Sequence, residues 1–395
     1  MKGTHSMVYE PELVALRRSW VEIDVPALEH NLRSLRALNP TALLAPVVKS
    51  NAYGHGILLA ARAFLDAGAD WLCVDSLHEA WQLRAAGIKR PLFVLGYVPV
   101  EHAEALVELE CRTVLYSEAL LRAIATAASR RGRELGLHFK LETGTNRQGL
   151  RLETALALAQ LARGLEGVRV EGICTHFANV EDTTDHRFAE AQLARFAEAA
   201  QAFEGAGFDK LLRSISNSAA SILWPQAHFE LLRPGIASYG MWPSKETFLS
   251  AVLAGRHEIE LRPALRWLTQ IAQIKTVPVG ESVGYGCTFR ATHDTRIGIL
   301  PVGYYDGYDR SLSGLAHVLV RGQRAQLRGR ICMNMMMIDL TDIPDAREAD
   351  PVVLLGTDGK EQVSAEQLGE WSGTINYEVT TRINDAIPRL AMPST

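Results

Sequence analysis

The chain has 395 residues, of which 47% are hydrophobic and 22% are charged, and its net charge is −4. This composition is that of an ordinary globular protein long enough for two domains. The small negative charge argues against a nucleic-acid partner or an anionic membrane surface, and no apolar run approaches the roughly 20 residues of a membrane span.

The cysteines are odd in number, lie far apart and never form a C-x-x-C pair. They are Cys73, Cys111, Cys174, Cys287 and Cys332. Such a scattered set argues against a disulfide framework and against a zinc site. We therefore expect a reducing, cytoplasmic compartment and no bound metal.

From about residue 26 to 235, short apolar runs alternate with amphipathic helical patterns. The apolar runs predict eight strands, at 43–48, 71–75, 92–96, 112–116, 137–143, 168–176, 211–216 and 229–233. Among the predicted helices are 118–131, 152–163 and 187–205. Eight strands separated by helices predict a (β/α)8 barrel of the TIM type, although a doubly wound sheet would produce the same alternation.

The character of the chain changes after about residue 256. Glycine, proline and threonine become frequent, and the apolar runs are short, β-branched and not separated by helices. These runs predict strands at 269–277, 296–302, 317–321, 326–331 and 336–340. We therefore predict a barrel over residues 1–255 and a C-terminal β domain over residues 256–395.

Ionisable residues follow the carboxyl ends of several predicted barrel strands, where barrel enzymes have their active sites. Lys49 ends the first strand in P-V-V-K-S-N-A-Y-G-H-G, where it could form a Schiff base with an aldehyde cofactor or substrate. Lys140, Glu142 and Arg147 follow the fifth strand, and His176 follows the sixth. Each has an ordinary structural explanation when it is considered alone, but together they indicate a functional site.

The last two barrel strands end in stretches that suit a phosphate group. The seventh runs into S-N-S-A-A, where Asn217 and Ser218 can cap a following helix. The eighth closes with Arg233 and a tight Pro-Gly turn. Backbone N–H groups at such places form natural phosphate sites.

Several stretches resemble the motifs of the alanine racemase family, in the family's order and over nearly the whole chain. They are V-V-K-S-N-A-Y-G-H-G, E-G-I-C-T-H-F-A, N-S-A-A, R-P-G-I-A-S-Y-G, V-G-Y-G-C-T-F, P-V-G-Y-Y-D-G-Y, G-R-I-C-M-N and T-I-N-Y-E. The resemblance implies a pyridoxal-phosphate enzyme of fold type III. Its expected reaction is the interconversion of L-alanine and D-alanine, which supplies D-alanine for cell-wall peptidoglycan.

The resemblance also implies two catalytic residues. Lys49 would bind the cofactor covalently and act as acid and base on one face of the substrate α-carbon, while Tyr285 would act on the opposite face. Racemisation needs two bases, because a single base would return the proton to its own face. In the family the tyrosine comes from the partner subunit, so a head-to-tail homodimer is implied.

The remaining site residues are carried over from the family in the same way. Arg233 would face the pyridine nitrogen, and His176 would support the ring and the proton network of Tyr285. Lys140 matches a lysine that is carbamylated in many members, although a simple pairing with Glu142 is the alternative. The cofactor-binding set is Lys49, Tyr53, His176, Asn217, Ser218, Arg233, Gly235, Ile236 and Tyr377, and the substrate-binding set is Arg147, Met333 and Tyr304.

Three departures from the family pattern affect the expected specificity. Ser214 stands where the family commonly has histidine, Asn334 replaces an aspartate, and E-T-G-T-N-R replaces D-T-G-M-G-R. The bulky Tyr304, Met333 and Tyr377 predict a small pocket that favours alanine, with serine the closest competitor. A serine racemase or a broader-specificity racemase stays open as an alternative.

Two other functions are less consistent with the sequence. A decarboxylase of basic amino acids shares the two-domain architecture but is expected to have an acid where this chain has Arg233. A non-catalytic pyridoxal-phosphate carrier shares the barrel but needs neither the β domain nor Tyr285.

Overall fold

The computed structural model describes residues 18–256 and 259–392. The chain forms two compact units. The barrel unit contains Pro26–Ala52 and Ile57–Pro263, and the β unit contains the chain from Ala264 onward, strand β1 (Ser19–Asp24) and the segment Tyr53–Gly56. This division differs from the predicted ranges at the N-terminus, because β1 pairs with strands of the β unit.

The barrel unit is built on parallel strands. They are β2 (Leu43–Leu44), β3 (Leu72–Val74), β4 (Leu92–Val94), β5 (Cys111–Leu115), β6 (Leu135–Lys140), β7 (Val168–Cys174), β8 (Leu212–Ser214) and β9 (Leu231–Leu232). Strands β3 to β8 form one sheet in sequence order, and β2 pairs with β9. Two backbone hydrogen bonds join that pair to the sheet, from Cys73 N to Pro46 O (3.0 Å) and from Arg233 N to Ser216 O (3.2 Å). The predicted barrel with its eight strands is confirmed.

Helices separate the barrel strands along the chain. They are α1 (Val25–Leu38), α2 (Ile57–Asp66), α3 (Leu77–Ala85), α4 (Ala103–Glu108), α5 (Glu118–Arg130), α6 (Leu152–Arg163), α7 (Arg187–Gly205), α8 (Ser218–Leu223) and α9 (Lys245–Leu253). Helix α5 shows why such segments are helical: Ser117 caps its first turn, and Leu121, Ile124 and Ala128 lie on one buried face. The predicted helices at 118–131, 152–163 and 187–205 are confirmed to within one residue. Within residues 18–256 and 259–392, no helix has both the length and the apolar character to span a membrane.

The β unit contains mainly antiparallel strands. They are β1, β10 (Leu265–Gln270), β11 (Gln273–Val277), β12 (Ser282–Val283), β13 (Phe289–Arg290), β14 (Thr295–Leu300), β15 (His317–Val320), β16 (Gln323–Gln326), β17 (Met336–Asp339), β18 (Pro351–Asp358), β19 (Glu361–Val363) and β20 (Arg389–Met392). The largest sheet has the order β16-β15-β18-β10-β1-β20, with β19 paired to β18. A second sheet has the order β11-β14-β17, and β12 pairs with β13.

Three details of the predicted β domain are wrong. The single strand predicted at 269–277 is split between β10 and β11, which belong to different sheets. The strand predicted at 326–331 lies earlier, at β16, which ends at Gln326. Gly329 does not continue it, because its φ is 73° and a Cβ atom at this position would lie 2.4 Å from Val283 O. Two helices, α10 (Ala365–Ser372) and α11 (Asn376–Thr381), follow β19 in a region that was predicted to contain strands alone.

Candidate active site

The chain makes a left-handed turn directly after Lys49. The next three residues have φ between 51° and 54°, a conformation that residues other than glycine rarely adopt. Two side chains hold the turn: Glu79 Oε1 accepts a hydrogen bond from Ser50 N (2.7 Å), and Asn51 Oδ1 accepts one from Ile57 N (2.8 Å). Such strained backbone costs about 1–3 kcal/mol per residue and is concentrated at functional sites.

Glu79 is a structural residue of this site that the sequence analysis missed. Its carboxylate accepts hydrogen bonds from Ser50 N and, at 2.7 Å, from Asp75 N, while Ser76 Oγ accepts one from Glu79 N (3.3 Å). Asp75 in turn lies 3.7 Å from Lys49 Nζ, measured from its Oδ1 atom. The signal was present in the sequence as S-x-x-E at the start of α3, the pattern of a capping box.

Four cationic side chains act on His176 at the carboxyl ends of the barrel strands. Burial lowers the pKa of His176, and the positive charges of Lys140, Arg233, Arg147 and Lys49 lower it further, well below its usual 6.5. The imidazole is therefore neutral at physiological pH. A group of cations around one neutral ring attracts anionic ligands.

Lys140 is buried, with 8% of its surface exposed. Burial lowers its pKa from 10.5 to about 8, and the charges of Arg233 and Arg147 act in the same direction. Glu142 accepts a hydrogen bond from Gly144 N (2.6 Å) instead. Although burial raises the pKa of Glu142, backbone N–H groups of the loop that follows it hold that pKa below 4.5. No ion pair between Lys140 and Glu142 occurs within the described residues, so the simple pairing considered from the sequence is not found.

The guanidinium of Arg233 is buried and held on two sides. Its Nη2 donates a hydrogen bond to Thr175 O (2.8 Å), and its Nη1 donates one to Ser214 Oγ. The Ser214 hydroxyl itself donates to Leu231 O (2.7 Å). The serine at this departure from the family pattern therefore contacts Arg233 directly.

The two stretches expected to suit a phosphate group are hydrogen-bonded to each other. Asn217 caps α8 as predicted, accepting a hydrogen bond from the backbone at its Oδ1 atom. Ser218 Oγ accepts hydrogen bonds from Gly235 N (2.8 Å) and Ala237 N (3.2 Å). Ile236 begins a buried 3-10 turn, Ile236–Tyr239. The ends of the seventh and eighth predicted strands are therefore joined by hydrogen bonds between the Ser218 side chain and the backbone after Arg233.

In the β unit, Tyr285 lies in a turn with 73% of its surface exposed. The turn depends on two glycines, Gly284 and Gly286, which both have a φ of 75°. A Cβ atom on Gly284 would lie 2.6 Å from Met337 Cε. The glycines of V-G-Y-G-C-T thus allow a tight turn that exposes the tyrosine ring.

Two further predicted residues of the β unit are also exposed. Met333 is 56% exposed and Tyr304 is 43% exposed, and Tyr304 N donates a hydrogen bond to Cys332 O (3.1 Å), so the two stretches lie together. Gly303 permits this approach, because a Cβ atom there would lie 2.1 Å from Cys332 O.

A third pair of predicted residues brings distant parts of the sequence together. The rings of Tyr53 and Tyr377 lie 6.0 Å apart, measured between their centroids. Both tyrosines belong to the β unit, although Tyr53 follows directly on the turn after Lys49.

The structure therefore collects the predicted site residues in two groups. Those in the barrel unit are Lys49, Lys140, Arg147, His176, Asn217, Ser218, Arg233, Gly235 and Ile236. Those in the β unit are Tyr53, Tyr285, Tyr304, Met333 and Tyr377.

Comparison with known proteins gives consistent matches over most of the chain. Residues 23–243 match the family model "Alanine racemase, N-terminal domain", and residues 264–391 match "Alanine racemase, C-terminal domain". Alanine racemase of Leptospira interrogans is 38% identical over 377 residues, which cover 95% of this chain and 96% of that protein. Alanine racemase of Syntrophobacter fumaroxidans is 42% identical over 366 residues, which cover 92% and 95%.

Solved structures agree with this result. The crystal structure of alanine racemase from the D-cycloserine-producing Streptomyces lavendulae superposes with a TM-score of 0.88 at 35% identity, covering 96% of this chain and 98% of that one. The alanine racemase of Bacillus anthracis with bound L-Ala-P superposes with a TM-score of 0.88 at 31% identity, covering 95% of each chain.

Proposed function

This chain belongs to the alanine racemase family and is an isomerase, and from that premise we propose that it interconverts L-alanine and D-alanine with pyridoxal 5′-phosphate. Lys49 and Tyr285 are the proposed acid–base pair. We propose that the enzyme acts in the cytoplasm and that its product, D-alanine, is used for cell-wall peptidoglycan.

One observation carries the proposal: the convergence of Lys49, Lys140, Arg147 and Arg233 on the neutral His176. The cofactor brings a phosphate and the substrate brings a carboxylate. Both anions fit a site where several cations meet. The chemistry of the donor set therefore suits the cofactor that the family implies.

The barrel unit supplies the residues that would hold the cofactor. Ser218, Gly235 and Ile236 would hold the phosphate, and Arg233 would face the pyridine nitrogen. When bound, pyridoxal phosphate acidifies the α-proton of the amino acid. A guanidinium has only N–H donors, so Arg233 would donate a hydrogen bond at that position. A hydrogen-bond donor there, in place of a carboxylate, would favour return of the proton to the substrate carbon.

The β unit supplies the second acid–base residue. Tyr285 would hold or release a proton on the face of the α-carbon opposite Lys49, which is the condition for inverting the centre. Its exposure of 73% supports a role outside its own unit. We propose that it reaches the site of the partner subunit in a head-to-tail homodimer, with Met333 near the substrate carboxylate and Tyr304 at the entrance.

Lys140 is a proposed site of carbamylation. An amine with a pKa of about 8 is substantially neutral near that pH, and the neutral amine is the form that adds carbon dioxide. The resulting carbamate would replace a buried cation by an anion beside Arg147, which it would orient. A mass measured under native conditions with and without bicarbonate tests this, and an unchanged mass would exclude it.

Two variants test the acid–base pair. Tyr285→Phe should suppress exchange of the L-alanine α-proton and leave cofactor absorbance intact, whereas Lys49→Ala should abolish covalent cofactor binding. Tyr97→Phe is the matched control, because Tyr97 is 70% exposed, close to the 73% of Tyr285, but lies outside the proposed site. Wild-type exchange in Tyr285→Phe would overturn the two-base scheme.

Two further measurements test the cofactor lysine and the substrate. Borohydride reduction and peptide mapping should locate the pyridoxyl group on Lys49, and a label on Lys140 would refute the assignment. Turnover of serine equal to that of alanine would favour the broader-specificity racemase.

A further inference from the structure

A cavity lies at the opposite end of the barrel from the proposed active site. Its volume is about 240 Å³, and its lining includes the first residues of β5 and β6, Cys111 and Leu135. These are the amino ends of parallel strands, whereas Lys49, His176 and Arg233 lie at the carboxyl ends. The proposed racemase function assigns no role to this basal cavity.

Charged side chains of both signs line the basal cavity. The cationic ones are Arg112, Arg133 and Arg169, and the acidic ones are Glu110 and Glu134. Arg133 Nη1 lies 3.3 Å from Glu110 Oε1, and Arg169 Nη1 lies 3.5 Å from Glu134 Oε1. Both pairs are exposed to solvent, so each contributes little to stability. The two arginines are also held from behind, because Arg133 Nη1 donates to Val107 O (3.0 Å) and Arg169 Nη2 donates to Glu171 Oε1.

Arg112 is the least exposed of the three arginines. Its Nε donates a hydrogen bond to Glu171 Oε2 (2.7 Å), and its guanidinium carbon lies 4.4 Å from the centre of the Trp71 ring. Among residues 18–256 and 259–392, neither Nη1 nor Nη2 of Arg112 has a hydrogen-bond acceptor. Two parallel N–H groups on a fixed plane match a carboxylate, which they can bind in a bidentate manner.

The carboxylates of the lining decide what kind of ligand fits. A simple anion would be attracted by the arginines but repelled by Glu110 and Glu134. A zwitterion uses both signs, because its carboxylate pairs with a guanidinium while its ammonium pairs with a carboxylate. The cavity is open on the side where Glu110 and Glu134 are 66% and 59% exposed, which gives a ligand access.

We propose that the basal cavity binds a small zwitterionic α-amino acid, with the ligand carboxylate on Arg112 Nη1 and Nη2 and the ammonium against Glu110 and Glu134. Alanine itself is the natural probe. Its ligand would then be the amino acid whose enantiomers the proposed racemase interconverts, so the choice of probe rests on the proposed function.

Equilibrium dialysis of labelled alanine against the holoenzyme tests the proposal. Two molecules per chain should bind, one in the active site and one in the basal cavity. The double variant Glu110→Gln/Glu134→Gln should retain one and lose the other, with an unchanged racemisation rate at low alanine concentration. Arg112→Lys keeps a positive charge beside Glu171 but removes the planar pair of donors, so it should also weaken the second site at least tenfold.

Glu104→Gln is the matched control, because Glu104 is 58% exposed and pairs with Arg131 outside the cavity. It should keep both bound molecules. Binding of one alanine per chain in the wild type, or retention of both in the glutamine double variant, would overturn the proposal. Equally tight cavity binding of propionate, which lacks the ammonium, would reduce the cavity to a plain anion site. Racemisation is measured on the same samples. Loss of the second bound alanine with racemisation intact concerns the cavity alone, whereas absence of racemisation in the wild type concerns the proposed function.

Discussion

Replacing Lys140 with methionine removes a buried charge and keeps most of the side-chain volume. In the folded protein the pKa of Lys140 is about 8, against an ordinary value of 10.5, chiefly because of burial. A tenfold change in proton affinity corresponds to about 1.4 kcal/mol, so this difference corresponds to about 3 kcal/mol. Since 8% of the residue is exposed, solvent screens the effect little.

The sign of the effect follows from proton linkage. Below pH 8 the lysine is charged in both states, and the folded state carries the full cost of burying the charge. Between about pH 8 and 10.5 the unfolded chain binds the proton and the folded chain does not, so stability increases with pH. Lys140→Met should therefore raise the free energy of unfolding at pH 7 by about 3 kcal/mol and remove this increase.

Urea unfolding between pH 6 and 11 in carbon-dioxide-free buffer measures this effect without carbamylation. Lys89→Met, in which an exposed lysine is replaced, is the control and should follow the wild type at every pH. If Lys140→Met is less stable than the wild type at pH 7, or if both show the same dependence on pH, then Lys140 is not a destabilising buried cation.

Three other substitutions test separate parts of the structure. Burial raises the pKa of Glu171, but its contacts with His138 and Arg112 lower that pKa to about 2. Glu171→Gln should therefore lose about 3 kcal/mol of stability at neutral pH, and it should not show the further loss that the wild type undergoes between about pH 4.5 and 2. An acid-unfolding curve identical to that of the wild type would contradict this. Ser214→Ala removes an acceptor from the buried Arg233 and should cost about 1–2 kcal/mol and weaken cofactor binding, as measured by urea unfolding and cofactor titration; equal affinities would show that the hydroxyl does not position the guanidinium. Gly303→Ala would place a Cβ atom 2.1 Å from Cys332 O and should destabilise the fold by about 1–3 kcal/mol in thermal unfolding, whereas wild-type stability would mean that this loop moves freely.

The sequence alone determined the alternation of strands and helices and their order, whereas a barrel and a doubly wound sheet were told apart only by the pairing of β2 with β9. Strand and helix signals are local, because each depends on the spacing of apolar residues within one segment. For the same reason Lys49, His176 and Arg233 could be located at strand ends before any contact was known. The strand predicted at 326–331 was wrong because Gly329 packs against the backbone of Val283, which prevents the strand from continuing. Val283 is distant in sequence, so this contact leaves no signal in the local spacing of apolar residues.

Only the tertiary structure decided how the strand ends combine. Ser214 contacts Arg233, and Ser218 binds the backbone of Gly235, across 17 to 19 residues that include a helix. Such contacts depend on which strands are neighbours, on their register and on side-chain rotamers, none of which is encoded in the spacing of residues along one segment. The pKa values of the site have the same origin, because burial and the charges from several strands determine them together. The sequence could therefore identify the ionisable residues, but the cationic environment that makes them a site exists only in the folded chain.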